Sequence, residues 1–130
     1  MAKPTPESKV KKKLIDYLKS LGSDCFYYMP VQNGMGQSGI PDIICCVKGR
    51  MVALECKATR KNEPTTLQAL ALDRIQKSGG VAWVVDDENV EQAIASIREA
   101  INNEHYSVGD NILPTDTLYR WKNKLEAMEF

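Results

Sequence analysis

Three charged residues stand where a strand pattern disfavours them. The stretch GIPDIICCVKGRMVALECKA (39–58) reads as two short apolar strands joined at Lys48–Gly49, and it carries Asp42, Glu55 and Lys57. Ionised side chains are depleted in half-buried strands. A two-residue hairpin turn sets Val47 opposite Arg50, Ile44 opposite Ala53, and Asp42 opposite Glu55. Carboxylates directly opposite each other repel and weaken a sheet. Glu55 and Lys57 are two residues apart and share one face, whereas Val52, Leu54 and Cys56 point to a core. Two acids and an ammonium therefore gather at one end of the hairpin. A divalent cation relieves the repulsion, and one or two carboxylates plus water suit Mg²⁺ or Mn²⁺. Such an ion activates a water, while a nearby lysine stabilises developing charge or orients that water. This is the chemistry of phosphodiester hydrolysis. The competing reading is a surface salt bridge of Lys57 with Glu55 or Asp42 on a solvated strand end.

The elements that must position these residues follow from local signals. A first helix is expected from Thr5 as cap and Pro6 in the first turn to a stop at Gly22, burying Val10, Leu14, Tyr17, Leu18 and Leu21. Glu7 lies three residues before Val10, on the same stripe. CFYYMPV (25–31) reads as a strand, and QNGMGQSGIP (32–41) as a loop. The hairpin strands are DIICCV (42–47) and MVALECKA (51–58). A second helix starts at Thr65 or Thr66 and stops at Gly79–Gly80; VAWVV (81–85) is a buried strand. An amphipathic helix then places Val90, Ala93, Ile94, Ile97 and Ile101 on one side, with an acidic start that suits the helix dipole. Beyond turn signals in VGDNILP, a last helix has Leu118, Trp121, Leu125 and Met128 in register. The order is α β β β α β α plus a tail.

The 130 residues suffice for one domain with a core, and the 43% apolar and 26% charged content is that of a globular protein. No apolar run approaches the ~20 residues of a membrane span, and the basic N-terminus has no apolar signal core. The expected location is the cytoplasm, of a bacterial or phage-infected cell. The four cysteines form no CxxC pair and the single histidine is distant, which disfavours zinc or thiol-redox chemistry. Cys45, Cys46 and Cys56 are expected to be small buried apolar residues. Net charge is zero, but residues 1–20 hold six lysines against two acids, and residues 48–61 are also basic, whereas residues 86–104 are acidic. If the basic segments meet, they form one positive face backed by an acidic one. The plainer alternative is that Lys9, Lys11, Lys12 and Lys13 are only the solvated side of a helix.

GIPD (39–42) followed by a strand and turn, then Glu55-Cys56-Lys57, resembles the PD-(D/E)XK nuclease pattern. With the flanking PESKVKKKLIDYLKSLG and LQALALDRIQKSGGVAWVV segments, residues 6–86 more specifically resemble the VRR-Nuc family of virus-type replication-repair nucleases. The resemblance implies an α/β, restriction-endonuclease-like domain over 1–130: an αβββαβ core (6–86) with a mixed sheet flanked by helices, and a helical C-terminal extension (87–130). It implies Asp42, Glu55 and the Cys56 backbone carbonyl as metal ligands, with Glu7 as a further one, and Lys57 as the catalytic lysine. Gln68 matches the family's glutamine early in the second core helix, and Glu7 its acid near the start of the first. Their alternatives are an ordinary surface glutamine and an acid that caps the helix.

The expected function is an Mg²⁺- or Mn²⁺-dependent, structure-selective DNA endonuclease. Lys9, Lys11, Lys12, Lys13, Arg60 and Lys61 would meet phosphates, which position a backbone but carry no sequence code. Loop 32–38 is a further contact candidate. The length is that of the module alone, so DNA is expected to be bound by the module itself or by a second copy. Symmetric cutting of a four-way junction needs two sites related by a two-fold axis, which a homodimer supplies. The alternatives are a flap or nicking nuclease, a non-catalytic nucleic-acid-binding module on the same fold, and a structural interaction protein.

Overall fold

The computed structural model describes residues 5–31, 39–102 and Leu125. Helix α1 (Pro6–Ser20) starts where Thr5 accepts the Ser8 N–H at 3.1 Å. Val10, Leu14, Ile15 and Leu18 form its buried stripe. A short 3₁₀ turn at Gly22–Asp24 leads into β1 (Cys25–Tyr28). That strand is shorter than its 25–31 sequence signal, as expected where Pro30 has no N–H to continue the ladder.

Strands β2 (Ile43–Val47) and β3 (Arg50–Cys56) form the anticipated hairpin, with Val47 paired to Arg50 and Ile44 to Ala53. Lys48 at φ 50° and Gly49 at φ 87° both lie in the left-handed region. Two such residues in succession make the tight turn whose twist matches a hairpin. Helix α2 (Thr66–Lys77) follows, then β4 (Val81–Val85), which pairs parallel to β3, and α3 (Val90–Asn102). The sheet order is β1-β2-β3-β4, antiparallel except for the last pair.

The architecture is a mixed four-stranded sheet flanked by helices. On one face, α1 and α3 cover Ile43, Cys45, Val52, Leu54, Cys56 and Trp83. On the other, α2 packs Ala69 and Leu72 on Ala82 and Val84, with Leu125 against the same cluster. Leu125 is helical; loop 32–38 and the remaining apolar positions expected on the last helix (Leu118, Trp121 and Met128) lie outside the described residues. The burial expected for Cys46 is corrected: it is exposed, because its face of β2 lies beyond the reach of α2.

A capping box fixes the start of α3. Asp86 Oδ1 accepts the Glu88 and Asn89 N–H groups at 2.9 and 3.0 Å, and Asn89 Oδ1 accepts the Asp86 N–H at 2.8 Å. The buried Asn89 amide also donates to the Val84 carbonyl at 2.9 Å, tying the helix to the strand before it.

Candidate active site

The hairpin register brings Asp42 to the C-terminal end of β3. It lies one residue beyond the last β2–β3 pair, Ile43 with Leu54, and its Oδ2 accepts the Cys56 N–H at 2.9 Å. Gly39 prepares this approach. Its φ is +84°, and a Cβ there would lie 2.6 Å from the Leu67 backbone. Only glycine lets the chain pass so close to the first turn of α2 and arrive at Asp42 in this position.

Glu55 overturns the picture of a solvated strand end. The C-terminal part of β3 lies under α2 beside β4, and Glu55 is only 1% exposed. It sits beside Val84 on the α2 face. Its Oε2 is buried and, among the described residues, has no hydrogen-bond partner. Burial, then the hydrogen bond and charge of Asp42, push its pKa up to about 9; Lys57 opposes this and Glu7 adds to it. Two carboxyls sharing a dry site cannot both ionise cheaply. An orphaned acid oxygen beside a second acid is what a hard cation would satisfy, so these residues fit a divalent metal.

Lys57 follows on the same face, its N–H bonded to the Val85 carbonyl at 2.8 Å. Its Nζ donates to Gln68 Oε1 at 3.0 Å. That oxygen also accepts the Thr65 N–H at 2.8 Å, while Thr65 Oγ1 accepts the Gln68 N–H at 3.2 Å. Gln68 thus closes the capping box of α2 and holds the lysine with the same atom. Thr65-x-x-Gln68 is the sequence signal of that capping box, and the bond to Lys57 gives Gln68 a supporting place beside the lysine.

Glu7 is exposed, at the open first turn of α1. Thr5 caps that helix, so Glu7 is not required as its cap. Its charge nevertheless reaches Glu55 and Cys56. Lys11 was expected on a DNA-facing surface, and its Nζ lies 3.6 Å from Asp42 Oδ1.

The separation of a positive face from an acidic one is corrected. Lys12 pairs with Asp16 at 2.6 Å, Lys13 with Glu91, and Arg60 with Glu88 at 3.4 Å. The reason is topological. Parallel pairing of β3 and β4 brings their C-terminal ends together, so the basic segment after β3 meets the acids after β4. Lys9 and Lys61 are exposed. Asp86, Asp87 and Glu88 have oxygens within 4.8 Å of one another and could hold a cation. Asp86 is already engaged in the α3 cap, however.

These features define an α/β domain of nuclease fold, with an acid pair and a held lysine at one end of its sheet. A solved structure described as a VRR_NUC domain has a TM-score of 0.60 and 25% sequence identity, covering 70% of this chain and 96% of that chain. This likeness supports the resemblance of the chain to the VRR-Nuc family. No family model and no curated protein matches it. Among the described residues no helix is long and apolar enough to cross a membrane.

Proposed function

We propose that this chain is an Mg²⁺- or Mn²⁺-dependent endonuclease that hydrolyses DNA phosphodiester bonds, acting on branched DNA as a homodimer in the cytoplasm of a bacterial or phage-infected cell. The observation that carries the reading is the buried, partnerless Glu55 Oε2 beside Asp42, with Lys57 held by Gln68 on the same face. Asp42, Glu55 and the Cys56 carbonyl would hold the metal, with Glu7 beside them. When bound, the ion supplies Lewis acidity and a lowered pKa for its water.

The remaining work falls to the chain itself. Asp42 is held through Oδ2 by the Cys56 N–H, and its second oxygen lies 3.6 Å from Lys11 Nζ. Gln68 keeps the Lys57 ammonium from swinging into solvent, leaving its other protons for an attacking oxygen or a phosphate. Lys11 sets a second cation at the acids, suited to a scissile phosphate as it arrives. Lys9 and Lys61 suit phosphates farther out. The presence of both acids and the lysine favours catalysis over a binding-only module.

The test is cleavage of plasmid, flap and four-way-junction DNA with Mg²⁺, Mn²⁺ or EDTA, together with light scattering after gel filtration. Metal-dependent cutting by wild type and none by Glu55→Ala is expected. Cutting at the wild-type rate by Glu55→Ala would remove the site. A monomer that cuts junctions at paired symmetric positions would refute the dimer.

A further inference from the structure

Helix α2 covers only half of its face of the sheet. Over β3 and β4 its side chains bury Ala82 and Val84. On the same face one row of paired residues runs outward from Ala53 through Ile44 to Tyr28, and a second from Met51 through Cys46 to Phe26. Phe26 is 74% exposed and Tyr28 56%, and both belong to the edge strand. Asp42 and Glu55 are the next residues along β2 and β3 on this face after Ile44 and Ala53. The aromatic shelf and the acid pair therefore lie on one face of the sheet, with Asp42 the partly exposed acid and Glu55 buried behind it. Cations stand at both ends: Lys48 is exposed at the hairpin turn, and Lys11 and Lys57 lie at the acids.

We propose that this shelf stacks unpaired bases of the DNA strand whose phosphodiester is presented to Asp42 and Glu55. The inference rests on the nuclease reading and specifies its substrate class. Every base has a π-face, so exposed rings grip single strands with little regard to sequence. Phe26 and Tyr28, two residues apart on a strand, stand about 7 Å from each other, which suits successive splayed bases. The lysines at either end complement the phosphates of a strand lying along the shelf. Paired bases in a duplex are already stacked and offer no free face. The substrates singled out are flaps, gaps and branch points with unpaired nucleotides beside the cut.

The experiment uses the full chain with Ca²⁺ in place of Mg²⁺, and flap and duplex oligonucleotides carrying 2-aminopurine near the branch. Stacking predicts a fluorescence change with wild type on the flap. Phe26→Ala and Tyr28→Ala should each abolish it and weaken flap binding about tenfold, with duplex binding and molecular mass unchanged. Phe26→Trp should restore both signals. Because both side chains are largely exposed, alanine there leaves the core intact. Unchanged flap binding in the double variant overturns the proposal, as does an equal loss on duplex. A fall to half the wild-type mass would also overturn it, assigning the face to a second copy of the chain. Absence of any cleavage by wild type with Mg²⁺ or Mn²⁺ would instead refute the nuclease reading, leaving the fluorescence result to judge the shelf separately.

Discussion

Glu55→Gln should make the metal-free protein more stable while disabling it. The native carboxyl has its pKa raised from 4.5 to about 9, chiefly by burial and by Asp42. The native state therefore holds a proton that the unfolded chain releases above pH 4.5. Stability is fully present below that pH and is lost progressively as pH rises towards 9. Each pH unit costs about 1.4 kcal/mol, so at pH 7 the penalty is roughly 3 kcal/mol. Glutamine keeps the shape without the proton linkage. Urea unfolding in EDTA, followed through the buried Trp83, should give similar stabilities for the two proteins near pH 5. At pH 7 the variant should be about 2–3 kcal/mol more stable. Mg²⁺ at a hundred times its Kd should then add about 2.7 kcal/mol to the wild type and little to the variant. Parallel stability–pH curves for the two proteins would refute the argument.

Asp42→Ala and Lys57→Ala should each abolish cleavage in a plasmid assay, the first through metal affinity and the second through kcat, with the circular dichroism unchanged. Gln68→Ala should cost about 1 kcal/mol in thermal unfolding from the lost cap, and should lower kcat by a smaller factor than Lys57→Ala. Glu7→Gln should reduce activity less than Asp42→Ala without lowering the melting temperature; a variant that loses stability but keeps its specific activity would show a purely structural role. Gly39→Ala should lose activity at near-normal metal-free secondary structure, because its Cβ meets the Leu67 backbone. Lys9→Ser should flatten the salt dependence of DNA binding more than Lys12→Ser or Lys13→Ser, since those two lysines already pair with Asp16 and Glu91.

Much of the fold was legible because its signals are local. Thr5 and Pro6 start α1, Lys48–Gly49 sets the hairpin register, and the apolar run Val81–Val85 marks a doubly covered strand. The shared face of Glu55 and Lys57 followed from the two-residue period alone. What escaped depends on which strands become neighbours. Burial of Glu55 requires β4 to pair beside β3, and no spacing within the hairpin announces that. The same pairing draws Arg60 to Glu88, which a count of charges along the chain cannot foresee. The exposure of Cys46 likewise depends on how far α2 extends across the sheet.

One oxygen of Gln68 serves both the first turn of α2 and the ammonium of Lys57. The two bonds make helix initiation and the arming of the lysine a single local event. When that turn frays, Lys57 loses its anchor even while the sheet beneath it remains paired. Hydrogen exchange at the Gln68 amide, which reports on that turn through its bond to Thr65, would thus measure how long the site stays assembled between openings. A chain whose sheet forms before α2 would hold its acids near one another without a positioned cation, and competence would arrive only with the helix.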